Sequence, residues 1–204
     1  MQHRILLLLV SGIFTYRCSG NSAGANSTGD APATGSTTTK RRIFVMTPDT
    51  TQGNTGGAAG ADTKCNNASN KPSGATTFRA LVADATRRAC TTANCTAASE
   101  NLNWIMLPNT KYYRADGTTE IQSTNGAGVF ALPLAVAVSE NSHLVYTGIH
   151  ANWTSDTTNN CVNWTSNNAA QSARAGFSDS TTGNLLGQIT IACDSGMHLL
   201  CVEQ

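Results

Sequence analysis

Apolar residues occur in short, separated bursts, and most bursts read as single elements. Ile5 to Val10 is an unbroken apolar run behind the charged start Met1-Gln2-His3-Arg4. From Ser19 to Thr39 the chain is almost entirely Gly, Ser, Thr, Asn and Ala. Ile43-Phe44-Val45-Met46 then reads as a short strand closed by Pro48, followed by a Gly- and Thr-rich loop from Thr50 to Gly60. Ala58, Ala61, Cys65 and Ala68 recur at three- and four-residue spacing, which predicts a short helix starting near Gly57. Phe78, Leu81, Val82 and Ala85 form a second such stripe, predicting a helix over Thr76–Ala89 capped by Thr76 or Thr77. Further on, the bursts read as strands: Trp104–Leu107, Leu144–Tyr146, Ile189–Cys193 and Leu199–Val202. Tyr112-Tyr113-Arg114 and Glu120-Ile121 flank Ala115-Asp116-Gly117-Thr118, a hairpin turn with Asp-Gly at its centre. Two short helices with several short strands argue for an α+β domain.

Composition narrows the class. Only 12% of the 204 residues are charged, about half the usual share. The formal net charge of +1 offers no basic excess for nucleic acid. No apolar run reaches membrane-spanning length, so residues 1–17 read as a secretory signal peptide. Residues 18–39 read as a flexible linker, too poor in apolar area to offset its ordering entropy. Cys18 stands between the two, where an exported bacterial lipoprotein carries its lipid; cleavage after Gly20, releasing a soluble protein, is the alternative. A chain starting at Cys18 loses Arg4 and Arg17, leaving 11 basic residues against 12 acidic ones.

Cys65, Cys90, Cys95, Cys161, Cys193 and Cys201 remain, an even number that reads as disulfides in an exported chain. Six cysteines allow 15 pairings, and spacing suggests only that Cys90 and Cys95 close a local loop. Zinc is the rival reading, but CxxC and Cys/His pairs at ligand spacing are missing. Catalytic signals are equally sparse. There is no His-Glu-x-x-His, and the Gly53–Gly57 segment lacks the Gly-Lys-Ser/Thr of a phosphate loop. His143 and His150 flank one strand without ligand spacing, His198 stands alone, and the acids are scattered. Arg79, Arg87 and Arg88 read either as a polyanion patch or, for the last two, as cations closing a helix. Asn152-Trp153-Thr154 and Asn163-Trp164-Thr165 match the glycosylation sequon. The reading is non-catalytic, with no cofactor and no metal.

Four collinear blocks carry a resemblance. They are Gly60-Ala61-Asp62-Thr63-Lys64-Cys65, Thr77-Phe78-Arg79-Ala80-Leu81, Leu185-Leu186-Gly187-Gln188 with Cys193, and Leu200-Cys201-Val202-Glu203. The set resembles the endostatin domain of certain collagens, whose fold is similar to C-type lectin domains. It is also similar to the endostatin-like surface lipoproteins of leptospires, through Arg41-Arg42-Ile43-Phe44-Val45, Arg114-Ala115-Asp116-Gly117-Thr118 and the terminal Cys201-Val202-Glu203-Gln204. The resemblance implies an endostatin-like (C-type-lectin-like) α+β domain over 40–204, with mainly antiparallel short strands and disulfide staples. It implies nested bridges Cys65–Cys201 and Cys161–Cys193, leaving Cys90–Cys95 for the local loop. The calcium-binding Glu-Pro-Asn and Trp-Asn-Asp of C-type lectins are missing, and so are the histidines of the endostatin zinc site near Lys40.

The resemblance also implies a function: a lipid-anchored, non-catalytic binding module on the outer membrane and cell surface. Its expected partners are host extracellular matrix proteins (laminin, fibronectin) or complement factor H, with the ligand-binding residues unknown. The alternatives are a structural or periplasm-facing envelope lipoprotein, a secreted or periplasmic protein, and last an envelope hydrolase.

Overall fold

The computed structural model describes residues 40–74 and 77–204, so the expected signal peptide and linker, with Cys18, and the expected cap Thr76 lie outside the described residues. In chain order it contains β1 (Arg41–Val45), α1 (Gly57–Asn67), β2 (Phe78–Ala80), a 3-10 turn (Ala98–Glu100), β3 (Lys111–Tyr113) and β4 (Glu120–Ser123). β5 (Leu144–Tyr146), β6 (Ser172–Phe177), α2 (Asn184–Gly187), β7 (Ile189–Ala192) and β8 (His198–Glu203) follow, with one further helical turn at Cys161–Trp164. The fold is α+β with a mixed eight-stranded sheet in the order β4-β3-β1-β8-β5-β6-β7, and β2 pairs with β8 off this path. β1–β3 and β5–β8 are parallel; the other pairings are antiparallel.

The unbroken apolar runs mark the middle of the sheet because those strands are covered on both faces. Successive side chains of a strand point to opposite faces. Ile43 and Val45 of β1, Leu200 and Val202 of β8 and Val145 of β5 enter one core. Phe44, Leu199, Cys201 and Tyr146 enter the other, with Cys65, Ala58 and Ala61 of α1. The Cys65–Cys201 disulfide ties α1 to β8 inside this second core.

The helix expected over Thr76–Ala89 is not formed. Phe78–Ala80 is instead a strand, with Phe78 opposite Glu203 and Ala80 opposite Cys201. The apolar positions alternate rather than stripe: Phe78, Ala80 and Val82 enter the second core, Leu81 and Ala83 the first. Asp84 then ends the segment, its carboxylate accepting from the backbone of Thr86 (2.7 Å) and Arg87 (3.0 Å) in a side-chain-closed turn. Trp104–Leu107 is also not a strand. Ile105 and Met106 are buried, but side chains hold the segment: the Trp104 indole donates to Gly128 O (2.8 Å), and Tyr112 Oη accepts from Leu107 N (2.9 Å).

The three arginines off the expected stripe form no polyanion patch and close no helix. Arg87 is 3% exposed, and its two terminal nitrogens grip Asp62 of α1 at 2.9 and 2.6 Å. Arg79 binds the same carboxylate (3.1 Å), and Arg88 donates to Glu100 O (3.1 Å). Arg79 and Arg87 thus tie α1 to β2 and the segment after it, and Arg88 ties that segment to the 3-10 turn.

Candidate functional site

The run 147–171 joins β5 to β6 over 25 residues, with the helical turn at Cys161–Trp164 inside it. Connections of this length with no more regular structure than a single turn are uncommon in compact domains, and often carry function. This one is ordered from within by two tryptophans, a buried carboxylate and a disulfide.

Both Asn-Trp-Thr triplets place their tryptophan in left-handed backbone, Trp153 at φ 70° and Trp164 at φ 63°. Each indole is buried, in a different core. Trp153 donates to Phe130 O (2.9 Å) and packs edge-on against Trp104 and Phe130. Trp164 donates to Ala83 O (3.0 Å) and lies against Tyr146. The connection is thereby pinned to both sides of the sheet.

Between the tryptophans, Asp156 accepts from Thr158 N (3.0 Å), Asn159 N (2.9 Å), Asn159 Nδ2 (3.0 Å) and Arg174 Nε of β6 (2.7 Å). Burial pushes its carboxyl up, but these hydrogen bonds outweigh it and hold the group well below the usual carboxylate range. His150 Nε2 stands 3.7 Å from the same oxygen as Arg174.

The second triplet lies in a single left-handed helical turn. Cys161, Val162, Asn163 and Trp164 have φ between 51° and 63°, and Trp164 N and Thr165 N donate to Asn160 O and Cys161 O in the helical i→i−4 pattern. Left-handed helical backbone costs roughly 1–2 kcal/mol per non-glycine residue, so its surroundings must impose it. The Cys161–Cys193 disulfide fixes the start, the buried Trp164 fixes the end, and Asn160 Oδ1 accepts from Asn163 N (2.9 Å). The turn holds Val162 at the surface, 49% exposed, with Asn163 exposed beside it. Strain of this kind is typical of recognition and active sites.

A cleft of about 510 Å³ adjoins the first triplet, with Asn94, Asn125, Phe130, Leu132 and Ala151 among its walls. The Cys90–Cys95 disulfide shapes one wall: Asn94, at φ 52°, donates its N–H to Asn152 O (2.8 Å). An apolar floor under amide groups suits recognition of a polar partner by contact and hydrogen bonding.

The structure thus brings together Cys65 with Cys201, Cys161 with Cys193, and Cys90 with Cys95. His143 does not meet His150; it meets His198, ring centres 4.8 Å apart, because parallel β5 and β8 set Val145 beside His198. Burial, then repulsion from His198, lowers the His143 pKa. His198 Nδ1 lies 2.8 Å from Met46 O and 3.0 Å from Asp49 O. No group of three His, Cys, Asp or Glu side chains close enough to hold a metal ion occurs among the described residues. No described helix is long and apolar enough to cross a membrane. Sequence reasoning missed the left-handed turn and Val162; the repeated Asn-Trp-Thr was its only visible signal.

Residues 48–182 match the model of a family described as a protein of unknown function (DUF1554). That span includes the whole 147–171 connection. No curated protein matches the chain.

Proposed function

The chain belongs to this DUF1554 family, whose description assigns no activity, and from its own residues we propose that it is a non-catalytic binding module. In this reading it is exported, lipid-anchored through Cys18, and displayed on the outer surface by the 18–39 linker. Its fold is endostatin-like (C-type-lectin-like), akin to the leptospiral surface lipoproteins whose sequence blocks it shares. Its partners are host matrix proteins (laminin, fibronectin) or complement factor H. The observation that carries the reading is the 147–171 connection. A disulfide, two buried indoles and an ion pair on the buried Asp156 hold an irregular surface segment in one shape, with Val162 and Asn163 outward. A purely structural loop needs no strained left-handed turn. A preordered surface lowers the entropy lost when a partner docks.

Two measurements on the intact protein test this. Protease added to whole cells removes a surface-displayed protein and spares one that faces the periplasm. Immobilised laminin, fibronectin and factor H are then titrated with the purified chain and its Val162→Asp variant. Saturable binding to one of them, lost in the variant, is the expected result. Protection from protease favours the structural envelope lipoprotein, and absence of saturable binding to all three refutes the adhesin reading.

A further inference from the structure

A second concavity, away from the 147–171 connection, gathers positive charge in a domain that has little of it. It encloses about 400 Å³ beside β1 and β3, with Lys40, Arg41, Leu107, Lys111, Tyr113 and Ser123 in its lining and no carboxylate there. The sheet builds it: β1 runs parallel to β3, setting Arg41 opposite Tyr112 and Arg42 opposite Tyr113.

The cations divide by what already neutralises them. Arg42 is consumed by Glu203 (2.8 Å), and Lys111 pairs with Glu120 (3.0 Å). Lys40 stands 5.2 Å over the Tyr113 ring and donates to Gly117 O (3.3 Å), contacts that orient the ammonium without cancelling its charge. Arg41 makes no ion pair among the described residues. The uncompensated charge is therefore that of two cations, Lys40 and Arg41, and of these the planar fork of the Arg41 guanidinium matches a carboxylate. The cavity also has an apolar wall. Leu107 is 46% exposed, one of two large hydrophobic side chains exposed among the described residues, and Tyr113 adds its ring. A polyphosphate would meet too few free cations here and would leave Leu107 unused.

We propose that this cavity binds a single carboxylate carried next to an aliphatic group, the chemistry of a peptide C-terminus with an apolar last residue. Arg41 takes the carboxylate, Lys40 adds charge from above Tyr113, and Leu107 receives the aliphatic side chain. The site is independent of the adhesin reading, which concerns another surface.

The test uses the full chain and three probes followed by ligand-observed NMR: N-acetyl-leucine, N-acetyl-leucinamide and inorganic phosphate. N-acetyl-leucine is expected to saturate, and the amide, lacking the charge, to bind at least about tenfold more weakly. Arg41→Gln and Leu107→Ser, both at solvent-accessible positions, should each weaken the acid while circular dichroism stays unchanged. Equal binding of acid and amide would overturn the proposal, as would phosphate competing at equal concentration. So would an undiminished Arg41→Gln variant, or no saturation by N-acetyl-leucine at all.

Discussion

The indole N–H of Trp164 donates to the carbonyl of Ala83 at 3.0 Å, joining positions 81 residues apart. Gly148 completes this junction, since a Cβ there would stand 2.7 Å from Ala83 O and 2.9 Å from the Trp164 ring. The strained surface turn is therefore held from below, through a side chain in the second core. Trp164→Phe keeps an aromatic ring but leaves a void and an unpaired buried carbonyl. It should cost about 2–4 kcal/mol, read from urea denaturation. A loss under 1 kcal/mol would show that the indole is not what secures the connection.

Val162 is the opposite case, because half of its side chain is in solvent and its φ is 54°. Relief of left-handed strain by glycine is worth roughly 1–3 kcal/mol, less about 0.4–1 kcal/mol for the more flexible unfolded chain. Val162→Gly should therefore raise stability by about 1 kcal/mol, and Val162→Ala should not. If the protein binds through this turn, the stabler glycine variant binds more weakly, because the exposed isopropyl group is gone. Paired denaturation and binding curves check both halves.

The central strands were legible because a strand covered on both faces needs apolar residues at every position, as in Ile43–Met46 and Leu199–Val202. Helix α1 was legible through its alanine spacing. The segment at Phe78 was not, since Phe78, Leu81 and Val82 satisfy a helical stripe and a two-sided strand equally well. β6 escaped for another reason: Ser-Ala-Arg-Ala-Gly-Phe carries small residues where neighbours press close, and a Cβ on Gly176 would meet Leu185 O at 2.0 Å. The candidate site was visible only as a repeated triplet. Val162 and Cys161 carry no local mark of left-handed backbone, because disulfide and core packing impose it. Long-range partners such as Arg87 with Asp62, or His143 with His198, follow from register, and register is a property of the folded sheet.

Acid should loosen the 147–171 connection through Asp156. Its folded-state pKa lies below the ordinary value of 3.8, so the unfolded chain binds more protons in the window beneath that value. Stability from this group is complete above the unfolded pKa and is lost as pH falls through the folded one. Asp156→Asn removes the charge at every pH. The stability gap between wild type and variant should be widest near pH 7 and close steadily below about pH 4. Urea midpoints at pH 7, 5 and 3 measure it; a gap independent of pH would mean that the hydrogen bonds, not the charge, carry the effect.

The three disulfides should differ in what they contribute, and the ranking separates stability from shape. Cys65–Cys201 spans 136 positions, Cys161–Cys193 spans 32 and Cys90–Cys95 spans 5. The chain-entropy model then gives upper figures of about 5, 4 and 2 kcal/mol for removing each pair. Replacement by alanine pairs should follow that order in denaturant midpoint. Binding should follow another order. The outer bridge and Cys161–Cys193 are both buried in the second core, but Cys161–Cys193 also fixes the start of the left-handed turn and Cys90–Cys95 sets Asn94 against Asn152. Loss of Cys90–Cys95 should thus affect affinity more than its small stability cost predicts, under conditions where the variant remains fully folded. Equal affinity of that variant and the wild type would remove the Asn94 wall from the recognition surface and leave the left-handed turn as its centre.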